Sequence, residues 1–103
     1  MPVRDWLLGL SAKDKKIIGE DIKTVELGWP VGMPVAKPLG DKLFKVRSVL
    51  KNGDQARIIF TIYKSSMILL HGFIKKSKKT PKRYLELAKN RMRKFLQDPK
   101  AKT

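Results

Sequence analysis

The chain has 103 residues, 42% of them hydrophobic, which is enough for one modest core and too few for a second folded unit. It has no cysteine, which excludes disulfides, thiolate metal sites and cysteine nucleophiles, and a single histidine, His71, which leaves too few soft ligands for a transition-metal site. Its formal net charge of +15, from 24 Lys and Arg against 9 Asp and Glu, calls for a polyanionic partner.

In chain order, Val3, Trp6, Leu7 and Leu10 have helical spacing and predict a short opening helix. Ser11 is placed to cap a second helix, with Asp14 at its positive end. Ile18, Ile22 and Val25 form its apolar stripe, and Gly28 before Trp29-Pro30 ends it. Residues 29–42, with Pro30, Gly32, Pro34, Pro38 and Gly40, read as a loop or irregular edge segment. Leu43–Leu50 alternates, with Phe44, Val46 and Leu50 against Lys45, Arg47 and Val49. Asn52-Gly53-Asp54 is a hairpin turn signal. Gln55–Tyr63 alternates again, Ala56, Ile58, Phe60 and Ile62 against Arg57, Ile59 and Thr61. Lys64-Ser65-Ser66 turns the chain into a third strand, Met67–Lys75, with Ile68, Leu70, Gly72 and Ile74 on one side and Met67, Leu69, His71, Phe73 and Lys75 on the other. Thr80-Pro81 predicts a cap and a proline at the first position of a last helix, whose face carries Leu85, Ala88, Met92 and Phe95. The order α-α-β-β-β-α implies an α+β domain over residues 1–96, with the helices on one sheet face and a flexible basic tail at 97–103.

The longest apolar runs, 58–63 and 67–70, fall far short of the roughly 20 residues of a bilayer span. The start, Met1-Pro2-Val3-Arg4-Asp5-Trp6, lacks a secretory pattern, so no membrane association and a cytoplasmic location are expected. The charge is uneven: residues 1–40 carry six basic and five acidic side chains, whereas residues 75–103 carry twelve and two. Such a concentration suits phosphates, whose neutralisation releases counterions.

With Phe44, Ile58 and Ile68 assigned to the helices, alternation gathers Lys45, Arg47 and Arg57 on the second sheet face, joined by His71 and Lys75 if the third strand keeps one register. Lys76, Lys78 and Lys79 follow, leading to Tyr84 in the first turn of the last helix. This set suits RNA cleavage without a metal or cofactor: cations stabilise the charge developing on phosphate, while His71, Tyr84 or a lysine crowded by cations supplies acid–base help. Each residue also has a plainer reading: His71 as a half-buried strand residue, Arg57 as a paired or exposed strand cation, Tyr84 as a helix-packing aromatic or a base-stacking ring, and Lys45 and Arg47 as solvent-facing charges.

Arg4-Asp5-Trp6-Leu7-Leu8, Ile18-Gly19-Glu20-Asp21-Ile22-Lys23-Thr24-Val25-Glu26 and Gly28-Trp29-Pro30 resemble the phage-derived HigB-like branch of the RelE/ParE toxins. So do Leu39-Gly40-Asp41, Phe44-Lys45-Val46-Arg47-Ser48, Ala56-Arg57-Ile58, Leu69-Leu70-His71-Gly72-Phe73-Ile74-Lys75-Lys76 and Lys79-Thr80-Pro81, followed by a helix with Ala88 and Arg91. The resemblance covers roughly residues 3–96. It implies a RelE-like antiparallel sheet of three to four strands, with an N-terminal helical hairpin on one face and a C-terminal helix. It also implies a type II toxin, a ribosome-dependent endoribonuclease (mRNA interferase) that halts translation. The implied partners are the ribosome, mRNA and a helix-turn-helix, HigA-like antitoxin, through which alone the pair would touch operator DNA. By position, Lys45 and Arg47 would contact substrate phosphate, Arg57 would stabilise the transition state, and Lys75, Lys76 and Lys78 lie where the family places basic groups after the last strand; with them, Lys79, Lys82 and Arg83 are expected to bind RNA. Tyr84 falls where RelE carries a catalytic tyrosine, although the HigB-like branch often has another polar residue there. Many relatives also open with a strand before the first helix, and this chain starts without an evident one. Two other readings stay open: a gyrase-inhibiting, ParE-like toxin, and a non-catalytic basic protein that binds nucleic acid or the ribosome.

Overall fold

The computed structural model describes residues 2–28, 36–76 and 79–97. Two helices, α1 (Pro2–Leu8) and α2 (Ala12–Gly28), precede four strands, β1 (Ala36–Gly40), β2 (Leu43–Val49), β3 (Gln55–Tyr63) and β4 (Ser66–Ile74), and a last helix, α3 (Lys82–Gln97). The strands form one antiparallel meander in the order β1-β2-β3-β4. Among the described residues no strand precedes α1, and the edge strand β1 comes from the proline-rich segment read as a loop or irregular edge segment, the second of these being what residues 36–40 form. Residues 36–40 form it because Pro38 lies in an edge strand, where a missing N–H costs least, and the pairing is irregular between Pro38 and Gly40. The rest of that segment, 29–35, lies outside the described residues, as does the expected tail at 97–103 apart from Gln97, which is the last residue of α3.

Local chemistry sets the boundaries. The Ser11 hydroxyl accepts from the Asp14 backbone N–H at 3.1 Å, which makes Ser11 the cap of α2. Ser11→Ala is expected to cost about 1 kcal/mol of unfolding free energy, measurable by urea denaturation. Between β2 and β3, the Asn52 side chain accepts from the Asp54 N–H at 2.9 Å, and Gly53 takes a positive φ of 90°. Two-residue turns at Asp41-Lys42 and Lys64-Ser65 have positive φ at both positions, as type I′ hairpins require. At α3 the carbonyl of Pro81, not of Thr80, accepts the first helical bond, so the helix starts one residue later than predicted. The Thr80 hydroxyl is instead 3.5 Å from Lys45 Nζ.

Helices pack on both faces of the sheet. On the first, Val3, Ile18 and Val25 of α1 and α2 pack with Val46, Ala56, Ile58 and Phe60. On the second, α3 lies over β3 and β4 and packs Ala88, Leu85 and Met92 against Leu43, Ile59, Leu70 and Phe73. The expectation that all helices share one face is therefore corrected: the second face has an apolar half of its own, and α3 covers it.

The faces of β4 also differ from simple alternation. Ile59 pairs with His71 but Phe60 with Leu69, so Leu70 is an extra residue and the strand bulges there. Before the bulge, Met67 and Leu69 face α1 and α2 and Ile68 faces α3, the reverse of the predicted sides. After it, Gly72 and Ile74 face α1 and α2 as predicted, while Phe73 lies on the α3 side. Gly72 is where the Trp6 ring lands: a Cβ built on Gly72 would fall 2.4 Å from a ring carbon.

Candidate functional site

Because α3 covers the β3–β4 side of the second face, the part of that face nearer β1 and β2 is left uncovered. Antiparallel register places the cations there in rows. Lys37, Lys45, Ile59 and His71 lie side by side across the sheet, and the next row holds Arg47, Arg57 and Phe73. Lys75 extends the β3–β4 pairing by one step, its N–H donating to the Gln55 carbonyl at 2.7 Å. Four of the predicted residues, Lys45, Arg47, Arg57 and Lys75, are thus brought to one surface, and Lys37 joins them.

Arg57 is the anchor. It is only 4% exposed, although it carries a full charge. Its Nη1 donates to the Ala56 carbonyl at 3.2 Å and its Nη2 to Gln55 Oε1 at 2.7 Å. Both acceptors are neutral, and no carboxylate pairs with Arg57 among the described residues. Directly opposite it stands Arg47, a like-charged cross-strand pair that costs stability. Burial, and then the Arg47 charge, press the Arg57 guanidinium below its usual pKa. Lys45 is pressed down as well, first by burial, then by the charges of Arg57, Lys37 and Lys75. A cluster of crowded cations is destabilising in isolation and is relieved by an anion.

The shift in Lys45 carries a sign. Its folded pKa lies below the ordinary lysine value, so at neutral pH the fold bears the cost of a charge it disfavours. Between the lowered value and the ordinary one near 10.5 the unfolded chain binds more protons, and stability rises with pH. Melting temperatures measured from neutral to alkaline pH should therefore rise for the wild type relative to Lys45→Met. Parallel curves would show that Lys45 is not strained.

His71 and Tyr84 sit at the border of the cluster, in an aromatic seam under α3. The His71 and Tyr84 rings are 4.6 Å apart, as are those of Phe73 and Tyr84, and His71 stacks on Phe73 at 5.8 Å. Arg91 of α3 donates to the Leu70 carbonyl at 2.7 Å and lies 3.3 Å from His71 Nδ1. With Nδ1 as acceptor, the proton resides on Nε2, which is buried without a partner among the described residues. Burial and Arg91 both lower the His71 pKa, so the ring is neutral at physiological pH. Structure thus places His71 against the helix, a step away from the open cations. Tyr84 carries Arg83 over its ring at 5.0 Å, and its hydroxyl accepts from Arg83 Nη2 at 3.3 Å.

The other predicted RNA contacts line the approach. Lys76, Lys79, Lys82 and Arg83 are all exposed, and Lys78 lies outside the described residues. Lys82 and Arg83 crowd the positive end of the α3 dipole, where anions are normally favoured. Sequence reasoning did not single out Lys37, in the segment read as a loop or irregular edge segment, and noted Arg91 only within the resemblance, without a role at the site. Among the described residues no group of three or more His, Asp or Glu side chains gathers to hold a metal ion, and no helix is long and apolar enough to cross a membrane.

No curated protein matches the chain. A family model described as "Phage derived protein Gp49-like (DUF891)" matches residues 5–93, which span α1 through most of α3 and every residue of the cationic cluster. The chain therefore belongs to the phage-derived Gp49-like family, a type II toxin family of RelE-like fold.

Proposed function

We propose that this protein is the toxin of a type II toxin–antitoxin pair of the HigB kind, and that it cleaves mRNA on the ribosome without a metal. The observation that carries the reading is Arg57: a buried guanidinium, held by neutral acceptors, facing Arg47 and lying among lysines, with no acid to neutralise it among the described residues. Such preorganised cations suit a pentacoordinate phosphate, whose charge exceeds that of the starting diester, and burial strengthens the interaction by lowering the local dielectric.

In this reaction the 2′-oxygen attacks phosphorus and loses its proton, the bond from phosphorus to the 5′-oxygen breaks, and that oxygen gains a proton. The products are a 2′,3′-cyclic phosphate and a 5′-hydroxyl. Arg57 and Arg47 hold the phosphoryl oxygens. The neutral fraction of Lys45, enlarged by burial and by the charges of Arg57, Lys37 and Lys75, takes the 2′-proton, and Tyr84 at the border of the cluster supplies the proton to the leaving oxygen. His71 serves as a positioning residue, fixing Tyr84 and Phe73 through its ring contacts. Lys76, Lys79, Lys82 and Arg83 draw in the surrounding RNA, and a HigA-like antitoxin silences the toxin by masking this surface.

The test is induction in growing cells, with transcript ends mapped. The reading expects growth arrest with cuts inside translated reading frames, absent when translation is blocked first. Arrest with intact transcripts and induced DNA-damage response would replace it with a gyrase poison. Tight RNA binding without arrest would replace it with a non-catalytic binder.

A further inference from the structure

Arg57 has one side-chain hydrogen-bond partner among the described residues, the amide of Gln55. The two residues lie one pleat apart in β3, so alternation puts both on the second sheet face. Gln55 Oε1 accepts from Arg57 Nη2 at 2.7 Å, a shorter contact than the 3.2 Å from Nη1 to the Ala56 carbonyl. The accepting atom must be the amide oxygen, because a guanidinium carries donors only. Gln55 is itself fixed at the end of the sheet, where it pairs with Val49 of β2 and its carbonyl accepts from the Lys75 N–H at 2.7 Å. Across the strand pair, Arg47 pushes against Arg57 by like charge.

We infer that Gln55 is the positioning residue of Arg57: its amide fixes the plane of the guanidinium against the push of Arg47 while leaving the positive charge whole for a phosphate. The inference deepens the function proposed above and rests on it for the phosphate that Arg57 meets. A carboxylate at this position would hold the fork more tightly, but the ion pair would cancel the charge that the anion needs. An apolar side chain would leave the charge and release Nη2, so the fork would no longer be aimed before substrate arrives. A neutral acceptor meets both demands. Gln55 acts through Arg57 and takes no proton itself.

The experiment compares the full chain with its Gln55→Glu and Gln55→Met variants. It reads melting temperature, the salt dependence of affinity for a 2′-O-methylated oligouridylate that cannot be cleaved, the NMR signals of the Arg57 guanidinium nitrogens, and cleavage of translated RNA. Gln55→Glu should melt above the wild type, because the new carboxylate relieves the crowded cations. It should nevertheless bind RNA more weakly, with the slope of log affinity against log salt reduced by about 0.7, one phosphate contact. A merely structural role would move melting and affinity the same way. Gln55→Met should keep the wild-type slope, show merged Arg57 Nη signals where the wild type shows separate ones, and cleave roughly ten- to a hundredfold more slowly at unchanged KM. Three results would overturn the inference: a wild-type slope in Gln55→Glu, separate Nη signals in Gln55→Met, or wild-type cleavage rates in both variants. Failure of the cleavage reading has a different mark. There the wild type itself leaves translated RNA intact, while the variants still differ from it in slope and in Arg57 signals, which supports the positioning of Arg57 toward an anion.

Discussion

Arg57→Ala is expected to lower cleavage of translated RNA by roughly two to three orders of magnitude, the usual cost of losing one preorganised donor to a developing oxyanion. Arg57→Lys should recover little, because an ammonium keeps the charge but not the planar fork that holds two phosphoryl oxygens. The complementary expectation concerns stability. Arg57 sits 4% exposed with no carboxylate partner among the described residues and a second arginine opposite it, so the fold gains little from its charge. Arg57→Met, which keeps the volume, should melt at or above the wild-type temperature. Cleavage measured in a translation extract and melting followed by circular dichroism separate the two effects. A Met variant that melts far lower would make Arg57 a structural residue.

Gly72→Ala should be the most destabilising single-methyl change in the chain. The added Cβ would fall 2.4 and 2.5 Å from two carbons of the Trp6 ring, which is itself packed into the core against α2 and the sheet. Overpacking of this kind costs about 2–3 kcal/mol, or a melting temperature lowered by roughly 10–20 °C in a domain of this size. Removing the ring should relieve the clash, so Gly72→Ala should cost far less in a Trp6→Ala background than in the wild type. Additive losses in that double-mutant cycle would mean that Gly72 is needed for its backbone and not for the ring.

These two residues also show what could be read from the sequence. Arg57 was legible because alternation in β3 is unbroken: Ala56, Ile58 and Phe60 point one way and Arg57, Ile59 and Thr61 the other, as the two cores confirm. The α2 cap at Ser11 and the Asn52-Gly53-Asp54 turn were legible because each is made by side chains within a few residues. The bulge at Leu70 was not, since it depends on how β4 pairs with Ile59 and Phe60, and nothing local marks it. Without the bulge, the sides of Met67, Ile68, Leu69 and Leu70 are inverted, while Gly72 and Ile74 still fall on the α1–α2 face. β1 was legible only as one of two alternatives, a loop or an irregular edge segment, because Pro38 and Gly40 weaken its strand signal, and Lys37 was not singled out for the same reason. His71 was visible as a chemical group, but its engagement by Arg91 depends on α3 crossing the second face, a packing choice that its own neighbours in sequence do not record.

The central claim is that Lys45, Arg47, Arg57 and Lys75 act as one phosphate-binding surface. It is tested most directly by the salt dependence of affinity for a single-stranded RNA, compared between the wild type and single alanine variants. Each of Lys45→Ala, Arg47→Ala and Lys75→Ala should reduce the slope of log affinity against log salt by about 0.7, the value of one phosphate contact on a single strand. Lys16→Ala and Lys23→Ala, exposed on α2 across the sheet, should leave the slope unchanged. Equal losses from both sets, or none from the first, would contradict the account.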